Sequence, residues 1–135
     1  MTETPDPRPP APARDRAPSP LVVAASLVAV EAILLVLQGV AELFVVSGER
    51  VVMGLTTTLF FWMYGAGLAF CAWSITRLRS WARAPIVVAQ LIQLLVAWSF
   101  VGGSTTPVAI GLALSAVLVL VGIFHPASLD ALADD

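Results

Sequence analysis

The chain has 135 residues, of which 59% are hydrophobic and only 12% charged, and its mean hydropathy of +0.92 is far above that of a soluble domain. Seven arginines, no lysine and nine acidic residues leave a net charge of −2, which does not read as a nucleic-acid-binding surface. A single cysteine, Cys71, inside an apolar run excludes an intrachain disulfide and a multi-cysteine metal centre.

Residues 1–20 hold seven of the ten prolines, together with Arg8, Arg14, Arg16, Glu3, Asp6 and Asp15. With almost nothing to bury, this stretch reads as a disordered tail of polyproline character, either a solvated leader that supplies positive charge or a docking peptide. A cleaved signal peptide is not expected, because the apolar run that follows is far longer than an h-region and starts about twenty residues in.

The first predicted span is 21–46, bounded by Pro20 before it and by Ser47, Gly48, Glu49 and Arg50 after it. A helix of that length rises about 39 Å, more than the roughly 30 Å of a hydrocarbon core, so it must tilt or fray. The second span, 51–76, follows after so short a turn that the two should form an antiparallel hairpin. The third, 85–101, places Pro85 in its first turn, where a missing N–H is harmless. The fourth, 107–124, is introduced by Gly102, Gly103, Ser104, Thr105 and Thr106 and is ended by His125 and Pro126. These last two are near the lower length limit for crossing a bilayer. Residues 127–135 read as a short acidic tail carrying Asp130, Asp134 and Asp135. The expected fold class is therefore all-α, a four-helix transmembrane bundle over 21–126 with a disordered proline-rich N-terminal tail.

The arginines orient it. Arg77, Arg79 and Arg83 lie between the second and third spans and three more lie in the N-terminal tail, whereas the loop between the first and second spans holds only Arg50. Six against one is a strong positive-inside bias, which puts both termini in the cytoplasm. Trp73 and Trp81 then fall at the inner interface, where an indole keeps its ring in lipid and its N–H wet. Arginine without lysine, with heavy use of Ala, Val, Leu and Pro, is a high-GC bacterial coding bias, so the membrane expected is that of a bacterial cell.

Polar groups inside the spans are the candidate functional residues. Glu31 lies about 15 Å into the bilayer by helix rise, close to the midplane. A carboxylate there costs about 2.5–3.5 kcal/mol on insertion scales, so it should be protonated or hydrogen-bonded inside the bundle. Gln38 and Glu42 follow at i+7 and i+11, which at about 100° per residue puts all three within one narrow arc and predicts an inward-facing polar stripe. The third span supplies Gln90 and Gln93 on one face, with Gln93 about 12 Å deep and within a turn of Glu31. An amide satisfies a carboxyl group in either charge state, which makes Gln93 the expected partner. This set is either a proton or substrate relay or a hydrogen-bonded packing seam. Gly65, Ala69 and Ala72 on the second span, and Gly111, Ser115 and Gly122 on the fourth, are small-residue stripes suited to close helix approach.

Catalytic chemistry is poorly supplied. The lone histidine, His125, cannot build a bis-histidine haem or zinc site and is expected to cap carbonyls at the end of the fourth span. No aspartate lies in any span, and Ser99 and Ser115 have no histidine at their depth. No enzyme, cofactor or metal is expected.

Glu31, the segment Trp81, Ala82, Arg83, Ala84, Pro85 leading to Gln90, Leu91, Ile92, Gln93, and the sequence His125, Pro126, Ala127, Ser128 resemble a group of small four-helix integral membrane proteins of actinobacteria. The resemblance implies the fold and the membrane location and brings no activity with it. The expected role is a structural or accessory subunit of the cell membrane, with the lipid bilayer and either a second copy or a larger membrane complex as partners. The alternative is a small proton-coupled transporter similar to the small multidrug resistance family, which also has four helices and a glutamate in the first. Only Glu31 carries that likeness, and the arginine asymmetry argues against dual-topology insertion.

Overall fold

The structure is a computed structural model and describes residue 2 and residues 16–133. Of the tail read over 1–20, residue 1 and residues 3–15, with Arg8 and Arg14, lie outside those described, as do Asp134 and Asp135; at its end the tail expectation is corrected, because Ser19 and Pro20 already belong to the first helix and Ala17 packs against the core. The described elements are all helical. Helix α1, Ser19–Val45, has Pro20 in its first turn, where the fixed φ suits a helix start. Helix α2, Val51–Thr76, coincides with the predicted second span. A single 3₁₀ turn, Ser80–Ala82, leads into α3, Arg83–Ser99. A second such turn, Gly103–Thr105, leads into α4, Thr106–Phe124.

The loop ends have local causes. After α2, the amide of Leu78 donates to Ile75 O at 3.0 Å and that of Arg79 to Ser74 O at 3.1 Å, a closing turn that needs a left-handed residue. Leu78 occupies it with φ 59°, a conformation that costs a residue bearing Cβ roughly 1–2 kcal/mol. Its side chain packs against the core and offsets part of that cost. Between α3 and α4 the reversal falls on Gly102 and Gly103, at φ 134° and 63°, where glycine is free of such a penalty.

Helices α1 and α2 form the expected hairpin, and α3 and α4 form a second, which packs on the first through α4 and α1. A Cβ at Gly65 would stand 3.0 Å from Ala32 O, and one at Gly122 would stand 2.7 Å from Pro20 O, so both positions carry close backbone approach. Across the first hairpin the Thr58 hydroxyl donates to Gly39 O at 3.2 Å and the Trp62 indole to Val36 O at 3.3 Å. The buried core, with Leu21, Val28, Ile75, Ile86 and Ile123 at its centre, sits toward the end of the bundle that carries Arg77, Arg79 and Arg83. Beyond Ala32 the one buried residue of α1 is Gly39, which faces α2, so α3 and α4 do not follow α1 to its far end.

The C-terminal segment differs from the tail expected over 127–135. Pro126–Ala133 is a fifth helix, α5, with Leu132 only 3% exposed and in contact with the core. The Ser128 hydroxyl donates to Gly122 O at 2.6 Å and ties it to α4. His125 also acts differently from the expected cap of the fourth span: its Nδ1 accepts the Ala127 N–H at 3.2 Å, capping the start of α5. Pro126 ends α4 and, by the same fixed φ, begins the next helix.

Candidate functional site

The buried stripe of α1 runs through Leu21, Ala24, Ala25, Val28 and Ala32. Glu31 lies three residues beyond Val28, on the edge of that stripe, and is half-buried. On α3 the stripe is Ile86, Ala89, Gln90 and Ala97, with Gln93 on the same face. On α4 the polar group is Ser115, the central residue of a 19-residue helix. All four polar side chains meet at mid-depth.

The carboxylate collects three donors. The Gln90 amide donates to Glu31 Oε2 at 2.8 Å, the Gln93 amide to Oε1 at 3.1 Å, and the Ser115 hydroxyl to Oε1 at 2.5 Å. The Gln93 nitrogen also donates to Leu112 O at 3.0 Å, so both of its hydrogens are used and its orientation is fixed. Gln90 is fully buried, and its Oε1 is a buried acceptor without a partner. From α2, the Tyr64 ring stacks on Phe60 at 5.8 Å, and Tyr64 lies within electrostatic reach of Glu31. No basic residue lies within 21–46, 51–76, 85–101 or 107–124.

Gln93 is therefore one of the partners of Glu31, as its depth suggested, but Gln90 makes the shorter bond from a more buried position. Ser115, which the sequence presents as a small packing residue, also donates to Glu31. Counting residues to the middle of α4 is the signal that would have found it. Gln38 departs from the expected inward stripe, whereas Glu42 is half-buried and faces α2. Gln38 is exposed and donates to Glu42 Oε1 at 3.3 Å. The helical arc is right, but the neighbours that cover Glu31 leave α1 before reaching Gln38. Glu42 and Arg50 line a small cavity of about 230 Å³ beside the first loop, with Met53 and Thr57.

At the opposite end, Arg77 and Arg79 line a cleft of about 190 Å³ together with Phe70, Trp73, Ser74 and Trp81. The Arg77 guanidinium stands 4.7 Å from the Trp73 ring centre, a cation–π contact. Arg83 is half-buried at the start of α3. Of the small-residue stripes, Gly65, Ala72 and Gly122 are buried, whereas Ala69 and Gly111 are exposed. Among the described residues no three of His, Cys, Asp or Glu converge as they would around a metal ion.

No protein-family model, no curated protein and no solved structure matches this chain. The class is set by the fold itself: α1, α2 and the segments Ser80–Ser99 and Gly103–Phe124 are each long and apolar enough to cross a membrane. This is a multi-pass, four-span membrane protein.

Proposed function

We propose that the protein is a non-enzymatic accessory subunit of a bacterial cell membrane, with both termini cytoplasmic, that docks through the far half of α1 on a helix of a partner chain. The observation that carries this reading is Gln38. By helix rise it sits about 10 Å inside the end of α1, yet it is exposed on a face flanked by Ile33, Leu34 and Leu37, all exposed. Its N–H reaches Glu42, and no hydrogen bond satisfies its carbonyl from within the described chain. In lipid such a group is best satisfied by another helix. A shallow apolar groove of about 210 Å³, floored by Ala32, Gly65 and Ala69, runs beside it and suits close helix approach. The partner is either a second copy or a larger membrane complex. A photo-crosslinking residue at Gln38, activated in native membranes, should capture a membrane protein. Capture of lipid alone would remove the docking reading.

A specific observation also favours the transporter reading. Glu31 is a mid-depth carboxylate whose hydrogen-bond partners are two amides and a hydroxyl, with no basic group among them, a setting in which intramembrane acids serve proton-coupled transport. Proton-dependent flux in proteoliposomes, lost in Glu31→Gln without loss of folding, would select it over the accessory role.

A further inference from the structure

We infer that the cleft between the end of α2 and the turn leading into α3 binds the phosphate of an anionic phospholipid, with an acyl chain lying in the apolar groove between α2 and α3. The inference concerns the membrane surface at the Arg77 end of the bundle and depends on neither the docking reading of Gln38 nor the transport reading of Glu31.

The sequence places Arg77 and Arg79 two residues apart, which on a continuing helix would turn them about 200° from one another. The left-handed Leu78 between them, at φ 59°, reverses the chain instead, and both arginines line one cleft of about 190 Å³. Both are exposed, and among the described residues no carboxylate pairs with either. The cleft wall is a linked run of rings: Arg77 stands over Trp73 at 4.7 Å, and Phe70 contacts Trp73 at 6.1 Å and Trp81 at 5.7 Å. Ser74, only 3% exposed, also lines the cleft, and its hydroxyl makes no hydrogen bond among the described residues.

This donor set takes an anion. Two guanidiniums present N–H forks that match paired phosphate oxygens, and the hydroxyl adds a third donor. Depth selects the anion. Trp73 and Trp81, both exposed, stand at the end of α2 and just before α3, the level at which indole rings mark the headgroup layer. The phosphate found there is that of a lipid, and basic pockets between membrane helices hold anionic headgroups at this level.

The groove adds the second half of a lipid. The stripe of α2 that carries Ser74 continues through Cys71 and Gly67, at i−3 and i−7. These two, with Met63, Leu68, Val88 and Ile92, line a groove of about 390 Å³ between α2 and α3. By helix rise it runs from about 9 to about 21 Å below Arg77, within the depth of acyl chains. A Cβ at Gly67 would meet nothing within 4 Å, so the space beside it is open. A free phosphate would use the cleft and leave the groove empty, whereas a phospholipid fills both.

The test is native mass spectrometry of the full chain released from micelles that contain phosphatidylglycerol or phosphatidylcholine. One phosphatidylglycerol should remain bound, in preference to phosphatidylcholine, whose choline offsets the phosphate charge. Arg77→Gln and Arg79→Gln should each weaken its retention about fivefold. Arg83→Gln removes the same charge from a residue outside the cleft and should leave retention unchanged. Gly67→Leu should weaken retention with both arginines intact, because the new side chain occupies the groove. Equal losses in all three arginine variants would reduce the effect to diffuse surface charge and overturn the site. Displacement of the lipid by millimolar inorganic phosphate, or no effect of Gly67→Leu, would overturn the lipid assignment. Should Arg77→Gln lose its fold along with the Trp73 contact, Arg79→Gln compared with Arg83→Gln decides.

Discussion

Replacing Glu31 by leucine withdraws the acceptor from three donors at once, and the loss can be worked from the geometry. Interhelical hydrogen bonds in membranes average about 0.6 kcal/mol, so three amount to roughly 2 kcal/mol. Gln90 adds to this, because its amide is fully buried and would have neither end paired, and a stranded buried group costs about 1–3 kcal/mol. The insertion cost of a central carboxylate does not offset these terms, since the disassembled helices would carry it in lipid as well. Glu31→Leu should therefore destabilise the bundle by about 3–5 kcal/mol. Gln90→Leu alone should cost about 1 kcal/mol or less, because the carboxylate keeps two donors and the orphan oxygen is gone. In the double variant nothing polar remains stranded on α3 at that point, so its loss should fall short of the sum by about 1–2 kcal/mol. A matching cycle with Gln93→Leu should show smaller coupling, because Leu112 O still holds Gln93 after Glu31 is removed. Unfolding in mixed micelles, followed by tryptophan fluorescence, measures all of these. Additivity for Glu31 and Gln90 within about 0.3–0.5 kcal/mol, or stronger coupling to Gln93 than to Gln90, would refute the reasoning.

Three further outcomes are expected. In a Cys71→Ser background, Gly48→Cys should react with an impermeant thiol reagent in intact cells and Ala133→Cys only after permeabilisation; the reverse pattern would invert the orientation drawn from the arginines. Gly122→Ala should destabilise by about 1–3 kcal/mol, since its Cβ would stand 2.7 Å from Pro20 O, whereas Gly111→Ala, with open space around it, should be neutral in the same unfolding assay. Leu132→Ala should cost about 2–5 kcal/mol if α5 belongs to the core, and a thermal midpoint unchanged from wild type would return that segment to the status of a tail.

The residues that were legible in the sequence are those whose signal is local. The apolar run between Arg50 and Arg77 matches α2 because charge bounds it on both sides. Helix α3 begins at Arg83, before Pro85, because the turn Ser80–Ala82 already winds the chain and a proline fits anywhere in a first turn. Depth along a helix is also local, which is why Gln93 could be matched to Glu31. What was not legible depends on where neighbours go. The arc that joins Glu31, Gln38 and Glu42 is real, but it describes one face of one helix and says nothing of how far α3 and α4 accompany it. Ser115 was hidden by its size: a hydroxyl in an apolar helix reads as a packing residue until an acid is found opposite it. In α5 the eight residues are too few for periodicity, and Leu132 is informative only once its contact with the core is known.

The unequal reach of the two hairpins has a consequence for the surrounding lipid. Glu31 and Ser115 meet side by side, but α1 continues for fourteen residues beyond Glu31 whereas α4 starts only nine before Ser115, so the first hairpin overshoots the second by about 7 Å at its tip. That overhang exposes Phe44, Val45 and Val52 at 85, 79 and 80%. Lipid on the α1–α2 side must thicken, or that pair must tilt, while lipid on the α3–α4 side is fitted by shorter helices, at a cost of fractions of a kcal/mol per Å of mismatch. The molecule is thus a wedge in thickness, and it will partition toward boundaries where a thicker annulus already exists, including the rim of a larger assembly.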